Sequence, residues 1–520
     1  MLISGLLLGA LMYGCSDNKA ESFDKKAEII PFQILTGDTT ITLSYENAEP
    51  IRLSWERART QGGTVGVFYE VQFADEKKDF QDPVMILNPG SLGYAIFIDI
   101  KQAEIDSIAR KTGIQSGGTG NIYWRIKATT GVSEYISSAY KMAVTRPVEG
   151  INNVFISRAK QLMTSLIKLY LGKSARDCWN NYYPNATGPY WNGDATVWGQ
   201  GAGFSGYVAI REVSAGISGI GEEYGNMTDR MFNSINRFIT TDNNMQAYAV
   251  YPANGNDRYY DDNVWIGLDM IDLYSQTKEQ RFLDKAIMVW NYLMTGYDDA
   301  CGGGVYWREI PVLKTGKNTC SSAPAAVLGC KLYNMTGDKA YLNRAIELYE
   351  WLSKYLRDPE DDLYWDSIHP DMSVVKNKYS YNSGQPMQAA CLIYKITGDE
   401  KYLADAQRIA KSAYKKWFMA FHSDALGEDF NILKPDHVWF QSILLRGLIE
   451  LYRIDGNREY VTAYEKTLSN AWLTDCRNKE TNLLNSDFRG INAQTQWDIL
   501  HEGAIVEMLS KLGMLVKDGL

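Results

Sequence analysis

The residues Thr336-Gly337-Asp338 and Thr397-Gly398-Asp399 place the same short pattern at two points of the chain. In each, glycine favours the left-handed backbone conformation that ends a helix, and the following aspartate can cap the next helix. Three residues after each aspartate stands a tyrosine, Tyr341 in one case and Tyr402 in the other. The two stretches therefore predict consecutive helical hairpins that begin in the same way.

Outward from these stretches, the pattern repeats with a period of about sixty residues. An aromatic residue is followed by a small or aromatic residue four positions on, and by apolar residues at seven and eight. The four anchoring aromatics are Phe282, Tyr341, Tyr402 and Tyr460. Twelve helical segments are predicted, near 151–171, 198–215, 226–240, 261–276, 279–295, 319–335, 339–357, 383–396, 400–418, 436–454, 458–472 and 497–515. They predict an all-α (α/α)6 toroid over 150–518, with a cleft built by the loops at one end.

The region 26–147 has a different pattern. Short alternating runs separated by glycine, proline and asparagine turns predict strands near 41–45, 51–55, 68–73, 94–100 and 121–128, with a last run ending at Pro147. We interpret the region as an all-β sandwich of the immunoglobulin or fibronectin III-like type. Its strand order, with Trp124-Arg125-Ile126-Lys127-Ala128 near the end, resembles the first domain of SusE-type outer-membrane lipoproteins of glycan-uptake systems.

The composition of the chain argues against two classes of function. The chain has 520 residues, of which 45% are hydrophobic, and a net charge of −9. This charge argues against binding to nucleic acid or to an anionic membrane surface. The 34 tyrosines and 14 tryptophans could instead provide rings that stack on sugars.

The N-terminus is typical of an export signal. Leu2 to Tyr13 is apolar and too short to span a bilayer, and it ends at Gly14-Cys15 before a polar run. This resembles a bacterial lipoprotein signal over residues 1–15, in which Cys15 is the lipidated residue. Met12 and the absence of an early Lys or Arg depart from the pattern, and an ordinary cleaved signal peptide is the alternative. Either interpretation predicts an exported protein, and the first an outer-membrane lipoprotein.

The remaining cysteines and the histidines show no metal or nucleophile pattern. Cys178, Cys301, Cys320, Cys330, Cys391 and Cys476 lack CxxC spacing, so no zinc site is expected and buried free thiols are favoured. The four histidines are scattered and have no partner for a Ser-His-Asp arrangement. The sequence therefore predicts neither a metal nor an organic cofactor.

The strongest chemical signal is Tyr260-Asp261-Asp262-Asn263-Val264-Trp265. Two adjacent carboxylates between aromatic residues, at the start of a predicted helix, suit glycoside hydrolysis, in which two carboxyl groups share the chemistry. The alternative is structural, because aspartate commonly occupies the first turn of a helix.

Three further elements, together with this one, resemble glycoside hydrolase family 76, the α-1,6-mannanases, over roughly 150–515. Gly303, Gly304 and Trp307 match a Gly-Gly-x-x-Trp element, and Tyr381-Asn382-Ser383-Gly384 matches a Tyr-Asn-x-Gly element. The run Phe440 to Arg446 matches a Phe-Lys-Gly-Ile-x-x-Arg-like element, with its Lys and Gly replaced.

The resemblance implies a retaining endo-acting enzyme on α-1,6-mannan backbones such as yeast mannan, with Asp261 as nucleophile and Asp262 as general acid/base. Substrate-binding roles are expected for residues of the matching elements, Tyr260, Trp265, Trp307, Tyr381, Asn382 and Arg446. They are also expected for Trp198 and Gln200, which lie in another cluster of aromatic, polar and glycine residues at a predicted helix start. The expected partners are the polysaccharide, a membrane through the lipid anchor alone, and a glycan-uptake complex as a candidate. Two alternatives remain open: a non-catalytic glycan-binding lipoprotein, and another glycosidase or lyase on the same toroid.

Overall fold

The computed structural model divides the chain into two compact units, Met1–Val148 and Glu149–Leu520. It describes residues 27–43, 49–62, 66–75, 80–90, 93–114, 118–146, 153–173, 176–184, 193–217, 219–251, 257–309 and 316–518. Cys15 and the predicted signal over 1–15 lie outside these ranges. In the described part of the chain, no helix has both the length and the apolar character needed to cross a membrane.

The N-terminal unit is built from short strands in small sheets. Its elements are β1 (Glu28–Ile30), β2 (Thr39–Thr42), β3 (Ile51–Ser54), β4 (Arg59–Gln61), β5 (Phe68–Ala74), β6 (Met85–Leu87), β7 (Phe97–Ile100), α1 (Gln102–Lys111), β8 (Thr119–Thr129), β9 (Glu134–Ile136) and β10 (Tyr140–Thr145). The largest sheet has the order β2-β10-β8-β5-β6, with β9 beside β8. Only β2 and β10 pair in parallel within it, and β3–β7 and β1–β4 form two-stranded sheets.

Alternation along β8 builds the core of this unit. Ile122, Trp124, Ile126 and Ala128 are all fully buried, as expected for one face of a strand. The prediction of an all-β region was wrong at α1, a ten-residue helix. The spacing of Ile105, Ile108 and Ala109 is helical, and these side chains pack into the same core.

The C-terminal unit contains thirteen α-helices within the described residues. They are α2 (Val154–Leu169), α3 (Val197–Ser214), α4 (Ile220–Asn226), α5 (Thr228–Asn236), α6 (Tyr260–Thr277), α7 (Gln280–Thr295), α8 (Thr319–Thr336), α9 (Lys339–Tyr355), α10 (Ser380–Thr397), α11 (Glu400–Trp417), α12 (Val438–Asp455), α13 (Glu459–Leu473) and α14 (Ile499–Lys517). Each predicted helical segment overlaps one of these helices, and α4 is additional.

Short strands connect or flank these helices. They are β11 (Tyr182–Tyr183), β12 (Ile239–Asp242), β13 (Met245–Tyr248), β14 (Lys317–Asn318), β15 (Ser367–Ile368), β16 (Val374–Val375), β17 (Phe418–Ser423), β18 (Glu428–Leu433) and β19 (Trp497–Asp498). All of them pair antiparallel, and β14-β15-β16 is the one three-stranded sheet among the described residues of this unit.

Six helices of this unit contact one another in a closed cycle. In order they are α3, α6, α8, α10, α12 and α14, and α14 packs back against α3. Their burial patterns fit this position, because buried residues occur at most positions of each helix rather than along one stripe. In α8, for example, Ser321, Ser322 and Ala323 are consecutive and all fully buried. The outer helix α11, by contrast, buries one stripe that includes Tyr402 and Ala406 and exposes charged residues elsewhere.

The sixty-residue repeat has a direct structural cause. Each anchoring aromatic packs edge-on against an aromatic of the preceding outer helix, at centroid distances of 5.1–5.3 Å. The pairs are Phe232–Phe282, Trp290–Tyr341, Tyr349–Tyr402 and Tyr414–Tyr460. The repeat therefore records the contact between neighbouring outer helices.

The predicted helix breaks and the predicted state of the cysteines are confirmed. Gly337 and Gly398 end α8 and α10 with φ values of 75° and 72°, in the left-handed region. The carboxylates of Asp338 and Asp399 accept hydrogen bonds from Ala340 N (2.9 Å) and Lys401 N (3.1 Å) at the next helix. The six cysteines of the described residues are free and buried.

Gly503→Ala is expected to weaken the contact that closes the helix cycle. A Cβ atom at this position would lie 2.5 Å from Ala202 O and 2.9 Å from Gly203 N, and both are backbone atoms of α3. Because backbone cannot rotate away, the helices must separate, at a cost of about 2 kcal/mol in unfolding free energy. Thermal unfolding should show a lower Tm, whereas the control Gly225→Ala, with nothing within 4 Å, should not. Equal Tm values for the two variants would contradict the tight packing of α3 on α14.

Candidate active site

A cleft with a volume of about 650 Å³ lies within the C-terminal unit. Five helices of the closed cycle present their N-terminal first turns to it: α3, α6, α8, α10 and α12. The prediction that the loops at one end of these helices build a cleft is therefore confirmed for the residues that the structure describes.

The second residue of each of these five helices lines the cleft. These residues are Trp198, Asp261, Cys320, Tyr381 and Trp439. Because the helices begin at the same end, equivalent positions in their first turns face the same space. This shared position is a sequence signal that would have identified Cys320 and Trp439.

Asp261 is held by three hydrogen-bond donors. Its Oδ2 accepts from Trp307 Nε1 at 2.8 Å and from Cys320 Sγ at 3.6 Å. Its Oδ1 accepts from the backbone N of Asp262 at 2.9 Å. Burial raises the pKa of Asp261 to about 6, and these three donors oppose that rise because they stabilise the charged form.

Asp262 has a different environment, although it is the next residue. Burial raises its pKa well above the usual range, and the charges of Asp261 and Asp257 add to the effect. Among the described residues, none donates a hydrogen bond to its carboxyl group, so nothing offsets the rise. Asp261 therefore ionises first and Asp262 keeps its proton to higher pH, which separates the pair into a carboxylate and an acid.

The loop that carries Trp307 is fixed to the segment directly before α6, residues 257–260. Tyr260 N donates to Trp307 O at 2.9 Å, and Tyr259 and Arg308 form a β-bridge. Two ion pairs flank this bridge: Arg308 with Asp257, and the buried Arg258 guanidinium with Glu309 at 2.5 Å. The Trp307 indole is thereby aimed at Asp261 although its side chain is 42% exposed.

One side of the cleft is an aromatic wall, formed by Trp198, Trp265, Tyr381, Trp439 and Phe440. Phe440 stacks on Tyr381 at 4.2 Å, and His437 stacks on Phe440 at 4.3 Å and on Trp198 at 5.4 Å. Burial lowers the pKa of His437 to about 4, and His501 contributes, so this imidazole is neutral at pH 7. The wall therefore offers uncharged ring faces, on which the C–H faces of a sugar can pack.

Two further carboxylates, Asp257 and Asp366, also line the cleft, and Asp366 has a side-chain partner there. Asp366 lies before α10, and its Oδ1 accepts from Asn382 Nδ2 at 3.2 Å. Burial raises its pKa, against the effect of this hydrogen bond and of His369. No pattern in the sequence pointed to Asp366, because the connection between α9 and α10 in which it lies has no repeat or motif.

The structure separates the predicted substrate-binding residues into two groups. Trp198, Trp265, Trp307 and Tyr381 line the cleft, and Asn382 lies behind it, where it contacts Asp366. Gln200, Tyr260 and Arg446 do not line the cleft. The prediction that these three residues contact the substrate directly is therefore corrected.

Each of the three corrected residues has a structural partner. The Gln200 amide is buried and bonds the backbone N and O of Trp179, at 2.9 and 2.7 Å. The Tyr260 ring is buried against Tyr292 at 4.7 Å. Arg446 forms a buried ion pair with Glu507 on α14.

Among the described residues, no group of three or more His, Cys, Asp or Glu side chains could hold a metal ion. The carboxyl pair in the cleft can supply a nucleophile and a proton, beside rings that suit a sugar.

A pair of carboxyl groups in an aromatic cleft is the kind of site that glycoside hydrolases have, and the comparison with known families shows that this protein is one. Residues 155–517 match the model of glycosyl hydrolase family 76, and residues 17–127 match that of the SusE outer membrane protein. The chain belongs to glycosyl hydrolase family 76.

Solved structures and a curated yeast enzyme agree with this assignment. A family 76 mannosidase of Bacteroides thetaiotaomicron VPI-5482 is 47% identical, with a TM-score of 0.68 over 70% of this chain and 100% of that one. A family 76 glycoside hydrolase from a bovine strain of the same species is 36% identical, with a TM-score of 0.69 over 94% and 99%. The mannan endo-1,6-alpha-mannosidase DCW1 of Saccharomyces cerevisiae is 28% identical over 131 residues, which span 24% of this chain and 29% of the yeast enzyme.

Proposed function

We propose that the protein is a retaining endo-α-1,6-mannanase that hydrolyses α-1,6-mannan backbones such as yeast mannan. The observation that carries the proposal is the contrast within the Asp261–Asp262 pair. One carboxyl group is stabilised as the anion by three donors, and its neighbour has none among the described residues. A double displacement needs one group charged and the other protonated at the start of the reaction.

In the proposed first step, the Asp261 carboxylate attacks the anomeric carbon while Asp262 gives its proton to the departing glycosidic oxygen. The bond to that oxygen breaks with its electron pair, and a glycosyl ester forms on Asp261. In the second step, Asp262 takes a proton from water, whose oxygen displaces Asp261 from the anomeric carbon. Two inversions leave the product with the α configuration of the substrate.

The choice of substrate is supported by the names of the similar enzymes, a mannosidase in Bacteroides thetaiotaomicron and a mannan endo-1,6-alpha-mannosidase in yeast. The aromatic wall adds physical support, because several rings in succession can hold more than one sugar unit. An endo-acting enzyme needs such a surface on both sides of the bond that it cleaves.

We also propose the finer architecture and the location. The closed cycle of helices supports an (α/α)6 toroid, and the small sheets of the first unit are consistent with an Ig-like or fibronectin III-like sandwich. The SusE match supports an outer-membrane lipoprotein anchored through Cys15 and partnered with a glycan-uptake complex. Labelling of expressing cells with radioactive palmitate tests the anchor, because Cys15→Ser should abolish incorporation. Undiminished labelling of that variant would exclude Cys15 as the lipidated residue.

Incubation of the purified full chain with linear α-1,6-mannan tests the proposed activity. New reducing ends and a falling average chain length are expected, and NMR of the first product should show the α-anomer. A first-formed β-anomer would contradict the retaining mechanism. Binding of mannan without new reducing ends would favour the glycan-binding lipoprotein, and cleavage of a different linkage would favour another glycosidase or lyase on the same fold.

Phe440→Ala is expected to weaken the binding of mannan. Loss of this ring from the aromatic wall should cost about 1–2 kcal/mol of binding, and thus raise KM about five- to thirtyfold. The control is Phe430→Ala, because Phe430 is also half-buried but lies on β18, where it packs on Phe421 outside the cleft. Steady-state kinetics of both variants provide the comparison. An unchanged KM in Phe440→Ala would show that this ring does not contact the substrate.

A further inference from the structure

Cys320 lies closer to the reacting pair than any sequence motif indicated. It is the second residue of α8, it lines the cleft, and its side chain is only 3% exposed. Its Sγ lies 3.6 Å from Asp261 Oδ2, within the range of a hydrogen bond donated by sulfur. The same oxygen accepts from Trp307 Nε1 at 2.8 Å, so two side-chain donors converge on one atom.

The Cys320 thiol is held in the form that can donate. Burial raises its pKa well above the usual range, and the nearby carboxylates Asp261 and Asp366 add to this effect. The S–H group therefore stays protonated at neutral pH, where Asp261 is charged. The Tyr381 hydroxyl acts against this rise in the pKa of Cys320, and burial outweighs it.

We infer that Cys320 is a positioning residue: its thiol and the Trp307 indole together hold Asp261 Oδ2 and favour the ionised carboxylate. The role in catalysis rests on the proposed function of Asp261 as the nucleophile. Trp307 alone would fix the oxygen from one direction. The second donor, Cys320 on α8, fixes it from another direction and so defines the orientation of the carboxylate plane. Cys320 thereby links the first turn of α8 to the first turn of α6.

The sign of the expected effect follows from which form of Asp261 the thiol stabilises. A donor to the carboxylate favours the charged form, so its removal raises the pKa of Asp261 further. Because the nucleophile must be charged, the acidic limb of the pH profile of kcat/KM should move to higher pH. We expect Cys320→Ala to shift this limb upward by about half a unit to one unit. At pH values below the limb, kcat/KM of Cys320→Ala should be about three- to tenfold lower than that of the wild type. At high pH this difference should become smaller.

Two variants show whether the hydrogen bond is responsible. Cys320→Ser keeps a hydroxyl donor at the same place, so its limb should lie closer to that of the wild type. Cys330→Ala removes another buried thiol from α8, but one that does not line the cleft, and its limb should coincide with that of the wild type. Overlapping limbs in Cys320→Ala and the wild type would overturn the inference, as would an equal shift in Cys330→Ala.

A second readout does not require activity. Ionisation of Asp261 should change the fluorescence of Trp307, its hydrogen-bond donor, and Trp307→Phe identifies that component of the pH titration. The midpoint should rise in Cys320→Ala by the same amount as the kinetic limb. If the wild type leaves mannan intact but the midpoint rises, the proposed activity fails while the effect of Cys320 on Asp261 stands. If the wild type is active but the midpoint of the fluorescence titration does not move in Cys320→Ala, the inference about Cys320 is overturned and the proposed activity stands.

Discussion

Asp261→Asn is expected to abolish hydrolysis of α-1,6-mannan, with a loss in kcat/KM of about a thousandfold or more. The amide that replaces the carboxylate is a poor nucleophile, so no glycosyl ester can form, whatever the leaving group. The fold should persist, because asparagine has nearly the same size, and its single amide oxygen can still accept from either Trp307 Nε1 or Asp262 N. Circular dichroism and the Tm of the variant should stay close to those of the wild type.

Asp262→Asn should fail in a different way, and this difference tests the assignment of roles. Without the acid, mannan should be cleaved as poorly as by Asp261→Asn. A mannoside with an activated aryl leaving group needs little protonation, so its first step should be partly rescued. Rescue in Asp261→Asn rather than in Asp262→Asn would reverse the two roles. Activity near that of the wild type in both variants would favour the alternative interpretation, in which the two aspartates only stabilise the start of the helix.

Arg446→Met is expected to destabilise the C-terminal unit strongly while leaving KM for mannan near its wild-type value. The Arg446 guanidinium binds Glu507 through two hydrogen bonds of 2.6 and 2.9 Å, and both side chains are buried. Methionine fills a similar volume but leaves the Glu507 carboxylate buried, with Lys511 Nζ as far as 3.9 Å away. Removal of one partner of a buried ion pair typically costs about 3–5 kcal/mol. Denaturant unfolding measures this loss, and kinetics on the folded fraction measures KM.

The double variant Arg446→Met, Glu507→Met is the matched control. It removes the pair without leaving a buried charge, so its stability should lie well above that of the single variant. A double variant as unstable as Arg446→Met would mean that packing, and not the loss of the guanidinium from the buried Glu507 carboxylate, causes the loss of stability. A large rise in KM in the single variant, with stability unchanged, would restore the substrate contact that the family resemblance implies for Arg446.

Local signals located most of the helices and the acidic pair. Glycine followed by aspartate marks helix ends through backbone and capping preferences that need no tertiary contact, which is why Gly337 and Gly398 were read correctly. Helix α1 was missed in a region of alternating patterns, because its buried residues Ile105 and Ile108 are too few to stand out from a strand. Helix α4 has seven residues and was missed for a similar reason.

For the site, the sequence alone determined that two adjacent carboxylates open a helix in a repeating helical unit. It did not decide which neighbours face the cleft, because successive residues of a helix point about 100° apart. Tyr260 and Asp261 are adjacent, yet one ring is buried against Tyr292 and the other side chain lines the cleft. The meeting of first turns from five helices, which brings Cys320 to the pair, depends on packing across long stretches of chain. Only the tertiary structure could place those side chains together.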